Sequence, residues 1–121
     1  MPIVDLEIVL QENESLRNEL ASELADELAD IFHSPSRGTW IKVRGLPANQ
    51  YAENGGTPTG VYPVFVAIIK STMPSPEEMQ KEVERITGAV AQICNRPSEN
   101  VHVNYQPEAR GRLAFGGKIV S

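Results

Sequence analysis

The feature that most constrains this chain is that it runs through one pattern twice. Met1-Pro2-Ile3-Val4 is answered by Tyr62-Pro63-Val64-Phe65. Pro35-Ser36 precedes Ile41-Lys42-Val43 as Pro97-Ser98 precedes Val101-His102-Val103, and Leu46-Pro47 is answered by Gln106-Pro107. Each copy reads as strand, helix, strand over about 60 residues, so each is expected to be a right-handed crossover with parallel strands. Two such units give an α+β domain: a four-stranded mixed sheet with two helices on one face. The predicted units are 1–47 and 61–107 of a single 1–121 domain, followed by a hairpin or edge strand over 108–121.

The periodicities support each element. From Ile3 to Leu10, Val4, Leu6, Ile8 and Leu10 alternate with Asp5 and Glu7, the period of a strand with one covered face. The polar break Gln11–Ser15 leads to a helix carrying Leu16, Leu20, Leu24, Leu28, Ile31 and Phe32 on one stripe. Its stop is His33–Gly38, with Pro35 just past the end. A second strand is expected over Thr39–Arg44, then a turn-rich connection from Ala48 to Gly60. Val61–Ile69 is almost wholly apolar and predicts a central strand buried on both faces. Ser75, Pro76 and Glu78 form a capping-box start for a second helix whose stripe is Met79, Val83, Ile86, Val90, Ile93 and Cys94. Val101–Tyr105 is the fourth strand.

Two helices on one face leave the other face of the sheet bare. Its apolar content predicts burial against another copy of the chain. Net charge is −5, which argues against a general nucleic-acid or membrane-surface role. No apolar run approaches the ~20 residues of a membrane span, and the start lacks the basic lead of a signal peptide. The single Cys94 fits a reducing cytoplasm, and the two histidines make no metal-ligand spacing. Acidic residues crowd the first helix. The bases Arg37, Lys42, Arg44, Lys70, Arg110, Arg112 and Lys118 lie in strand-like or loop-like stretches, where they can line an anion site.

The chemically unusual residue is Pro2. An initiator Met before proline is normally removed, leaving a secondary amine at the start of a rigid strand. A free α-amine has a pKa of about 7.7–8.0, low enough to serve as a base near neutrality. Pro63 has no such nitrogen, because its own is an amide.

The Met-Pro start, the tandem units and the tail Glu108-Ala109-Arg110-Gly111-Arg112-Leu113-Ala114-Phe115-Gly116-Gly117 resemble the tautomerase superfamily. That group includes 4-oxalocrotonate tautomerase, 5-carboxymethyl-2-hydroxymuconate isomerase and macrophage migration inhibitory factor. The resemblance implies a cofactor-free isomerase, assembled as a homotrimer, with Pro2 as general base and cations gripping the carboxylate of a small substrate acid. It makes Arg37, Trp40 and Lys42 the expected neighbours of Pro2, with Arg44 further along strand two and His102 and Asn104 as polar pocket residues on strand four. Glu12 and His102 depart from the arginines of 4-oxalocrotonate tautomerase, which favours a monocarboxylate or a different clamp built from strand two. Each assignment has a plainer alternative: Lys42 and Arg44 as rim charges, Arg37 as loop surface, His102 as a structural histidine, Asn104 as a subunit bridge. Two other functions fit the same resemblance. One is a hydratase or dehalogenase, with Glu53 as the water-activating carboxylate. The other is a non-enzymatic trimeric binding module.

Overall fold

The computed structural model describes residues 2–121, so the expected loss of Met1 lies outside the described residues. The elements are β1 (Ile3–Val9), α1 (Leu20–Phe32), β2 (Trp40–Leu46), β3 (Val64–Ile69), α2 (Pro76–Cys94), β4 (Val101–Tyr105), β5 (Ala114–Phe115) and β6 (Lys118–Ile119). The sheet runs β2-β1-β3-β4. Each outer strand is parallel to its inner neighbour, and the inner pair β1 and β3 is antiparallel. The tail closes as the small β5–β6 hairpin.

Strand alternation sorts the sheet into two faces. Val4, Leu6, Ile8, Val64, Val66 and Ile68 are buried with Leu24 and Leu28 of α1 and Ile86 and Val90 of α2. Burying a side chain of this kind is worth about 1.5–3 kcal/mol, so this single-sided core supplies most of the drive to fold. The opposite face is uncovered: Trp40 is 46% exposed and Phe65 38%. The continuous apolar run of β3 is therefore not buried on both faces within one chain, because both helices lie on the same side.

The helix boundaries follow capping chemistry. At α2, Ser75 Oγ accepts from the Glu78 amide at 3.2 Å and Glu78 Oε1 accepts from the Ser75 amide at 3.1 Å, as expected for the capping box. Helix α1 begins four residues later than the apolar stripe predicted. Its first residue follows Glu19, which makes no side-chain cap bond. Upstream, Glu14 is engaged elsewhere, by Gln11 N–H and by the Arg96 guanidinium, which holds that segment as a loop. Both helices end alike. His33 and Asn95 adopt left-handed backbone (φ 55° each), and the next amide, of Ser34 or Arg96, reaches back 2.9 Å to the carbonyl of Ala29 or Ala91.

These caps give the register of the duplication. Trp40 lies seven residues after His33, and His102 seven after Asn95; Ile3 pairs with Trp40 and Phe65 with His102. The halves are thus offset by 62 residues, and the counterpart of Pro2 is Val64. The sequence match of Pro2 with Pro63 is one residue out. Proline is repeated, but its place on the pleat is not.

Candidate active site

Pro2 is buried, and its carbonyl accepts from the Trp40 amide at 3.1 Å. Its ring follows the parity of Val4 and Leu6 and so lies on the helix side of the sheet. There it lines a cleft of about 360 Å³. One wall is the end of α1 and the turn after it, Phe32 to Pro35 and Gly38. The other wall is the end of β3, Lys70, Ser71 and Thr72.

Strand pairing explains that second wall. Ile3 faces Ile69 and Val4 faces Ile68 across the antiparallel β1–β3 pair. Continuing that register one residue past its last pair would set Lys70 opposite Pro2, and both line the cleft. The Lys70 ammonium does not hang free. Glu82 of α2 accepts from it at 2.9 and 3.2 Å, and the Phe32 ring centroid lies 5.1 Å from Nζ. Glu82 also accepts from the Tyr105 hydroxyl. Burial, and then the hydrogen bond to Glu82 and its charge, push the Tyr105 phenol far above its ordinary range, so it stays a donor. Elsewhere at the cleft, Thr39 Oγ1 lies 2.7 Å from Ser34 Oγ, and Thr72 Oγ1 accepts from Arg110 at 2.8 Å.

None of the six substrate-binding residues expected from the sequence lines the cleft of its own chain. Strand β2 does start beside Pro2, but the side chains of Trp40, Lys42 and Arg44 point to the opposite face of the sheet. On that face Lys42 Nζ lies 3.3 Å from Asp5, and Arg44 lies 3.4 Å from Asp5 and 3.7 Å from Glu7. The Trp40 ring packs edge-on against Phe115 at 5.2 Å, and its Nε1 donates to the Arg37 carbonyl at 2.9 Å. Arg37 takes the left-handed region (φ 66°) and lines a separate hollow against the outer side of α1. His102 and Asn104 border a second depression of about 220 Å³ on the open face, where His102 lies 5.6 Å from the ring of Phe65. Glu53 belongs to neither wall of the cleft; its carboxylate accepts from Tyr51 at 2.6 Å in the loop before β3.

Lys70 was among the seven bases expected to line an anion site but was not brought to Pro2, and Ser71, Thr72 and the turn at His33 and Ser34 were missed. The signal was present. Antiparallel packing of the two units across β1 and β3 brings the end of β3 to the start of β1, whereas only the parallel neighbour β2 had been considered.

No protein-family profile and no curated protein sequence matches the chain. Solved structures do. A wild-type symmetric trimer of fused 4-OT superposes with a TM-score of 0.78 at 12% identity, covering 98% of this chain and 94% of that one. Macrophage migration inhibitory factor from Oncomelania hupensis gives 0.76 at 13% identity, covering 100% and 83%. Pt0534 inactivated by 2-oxo-3-pentynoate gives 0.75 at 15% identity, covering 97% and 95%. The likeness at these identities is one of fold, and it agrees with a four-stranded mixed sheet carrying two helices: the chain has the fold of the tautomerase superfamily.

Proposed function

We propose that the chain is a cofactor-independent isomerase that moves a proton between oxygen and carbon of a small 2-oxo or 2-hydroxy-2-enoate acid. The observation that carries this reading is the burial of Pro2 in a cleft that Lys70 also lines. Once Met1 is removed, the Pro2 nitrogen is a secondary amine. Apolar surroundings and a nearby cation both disfavour its protonation, which brings it into the working range of a base. The amine takes the enol proton and returns it to the carbon end of the conjugated system, so no proton is gained or lost overall. The developing enolate oxygen needs donors, and Ser34, Ser71 and Thr72, which line the cleft, each carry a hydroxyl.

The acid substrate class is supported by Pt0534, a fold neighbour inactivated by a 2-oxo acid. A homotrimer is supported by the trimeric fused 4-OT neighbours and by the bare sheet face. In such an assembly His102 and Asn104 of one chain belong to the cleft of the next. Lys42 and Arg44 are instead held by Asp5 and Glu7, and Arg37 serves the turn into β2. The hydratase reading is weaker, because the described residues lining the cleft include no carboxylate to activate water. Among the described residues, no helix is long and apolar enough to cross a membrane.

The test combines intact mass, to establish that Met1 is gone, with turnover of phenylenolpyruvate or 2-hydroxymuconate by wild type and Pro2→Ala. The variant is expected to lose about 100-fold or more in kcat. Equal turnover by the two proteins sinks the catalytic claim, and a monomer at micromolar concentration in sedimentation sinks the trimer.

A further inference from the structure

The duplication supplies an internal control for the residues around Pro2. With the halves offset by 62, Lys70 corresponds to Ile8, Glu82 to Leu20 and Tyr105 to Val43. In the first half these are ordinary core positions: Ile8 is 2% exposed, Leu20 is 4%, and Val43 packs against the same cluster. In the second half the same three places hold an ammonium, a carboxylate and a phenol, joined by hydrogen bonds. The pair is largely withdrawn from water, with 19% and 14% of the Lys70 and Glu82 side chains exposed. Replacing packed apolar groups with an ion pair is at best neutral for stability. Both halves otherwise keep their core, as Leu24 with Ile86 and Leu28 with Val90 show. The three are neighbours, and Lys70 among them lines the cleft of Pro2.

We infer that Lys70 is the residue that receives the carboxylate of the substrate acid, and that Glu82 and Tyr105 are positioning residues that hold its ammonium beside Pro2. Glu82 takes up two of the lysine's contacts and Tyr105 fixes Glu82, which leaves Nζ a donor for the cleft. An ammonium has three N–H groups, so the geometry allows it to face both Glu82 and a bound acid. This assignment rests on the proposed isomerase reading and gives that site its selectivity for acids.

The test is built so that the two readings fail separately. Protein shown by mass to lack Met1 is treated with 2-oxo-3-pentynoate and with 3-pentyn-2-one, which carries a methyl group in place of the carboxylate. Addition of the Pro2 amine to the alkyne is read by peptide mass. Compared at a pH where Pro2 is unprotonated in both proteins, Lys70→Met is expected to slow labelling by the acid about tenfold or more relative to labelling by the ketone. Lys70→Arg retains most of the preference for the acid, and Tyr105→Phe lowers it a few-fold. Equal slowing of both reagents, or of neither, overturns the inference. The triple variant Lys70→Ile, Glu82→Leu, Tyr105→Val rebuilds the first half's core. It is expected to keep or raise the urea midpoint while losing the preference for the acid. A marked fall in that midpoint would show the triad to be structural and would overturn the inference. If neither reagent labels Pro2 in the wild type, the isomerase reading itself fails, and this assignment falls with it.

Discussion

Ser34 and Arg96 occupy the same place in the two halves of the chain, one residue past a left-handed helix cap, and only Arg96 fills the space beside it. Its guanidinium, 2% exposed, donates to the carbonyls of Tyr62 and Val9 at 3.0 Å each and to both oxygens of Glu14 at 2.6 and 3.2 Å. In the first half the corresponding space is the Pro2 cleft, with Ser34 at its wall. Arg96 thus occupies, in the second half, the place that Ser34 leaves to the cleft in the first.

Arg96→Met is expected to cost about 3 kcal/mol in urea unfolding, because four backbone carbonyls and the Glu14 carboxylate lose this donor. The pH dependence should change with it. Burial tends to raise the Glu14 carboxyl, but the hydrogen bonds and charge of Arg96 and the Gln11 amide hold it below its ordinary value. A depressed carboxyl contributes stability above its unfolded range and loses it as pH falls through the folded value. The wild type should therefore lose stability more steeply below pH 5 than Arg96→Met. Parallel acid limbs in the two proteins would refute the pairing.

Two glycines should respond to alanine with opposite signs. A Cβ on Gly38 would lie 2.8 Å from Pro35 Cδ and 2.9 Å from the Pro35 carbonyl oxygen, in the turn that forms one wall of the cleft. Gly38→Ala is expected to cost about 1–3 kcal/mol by overpacking and to disturb that wall. Gly88 sits within α2 with nothing within 4 Å of an added Cβ. Gly88→Ala is expected to stabilise by about 1 kcal/mol, since glycine in a helix interior carries that entropic penalty. Thermal melts of the two variants moving in the same direction would contradict this.

Cys94 ends α2 with its thiol buried, and burial pushes its pKa up to about 11, against smaller opposing effects of Arg96 and Arg17. At pH 8 about one thiol in a thousand is then thiolate, the reactive form. Iodoacetamide should label the native protein far more slowly than the urea-unfolded one, and the native rate should still be climbing at pH 10. A native rate that levels off near pH 8.5 would contradict this.

The architecture was legible because it depends on local signals. The alternation at Val4, Leu6 and Ile8, the capping box at Ser75 and Glu78, and the proline stops after each helix are all read within a few residues. The start of α1 was harder, since the segment before it is held by a long-range contact from Glu14 to Arg96 that no local window contains. The candidate site was only partly legible for the same reason. Pro2 stood out by its chemistry, but the choice among seven bases depended on which strand lies beside it and on which face each side chain emerges. Lys42 sits on a strand adjacent to β1 yet on the far face, while Lys70, 68 residues from Pro2 in sequence, lines the same cleft.

The open face of the sheet carries the last prediction. Phe65 lies on a central strand, 38% exposed, between the rings of Tyr51 at 6.0 Å and His102 at 5.6 Å. Nothing in its own chain requires it to be apolar there, because the core lies on the other side of β3. A glutamate would leave that core intact and would be expelled from an interface between copies, where an unpaired buried charge is costly. Phe65→Glu is therefore expected to sediment as a monomer with unchanged far-ultraviolet circular dichroism, while the wild type sediments as a trimer. Because His102 and Asn104 are assigned to the cleft of a neighbouring chain, the monomer should also lose turnover, though Pro2 and Lys70 remain in place. A Phe65→Glu protein that sediments as the wild type does would show that this face is not where the copies meet.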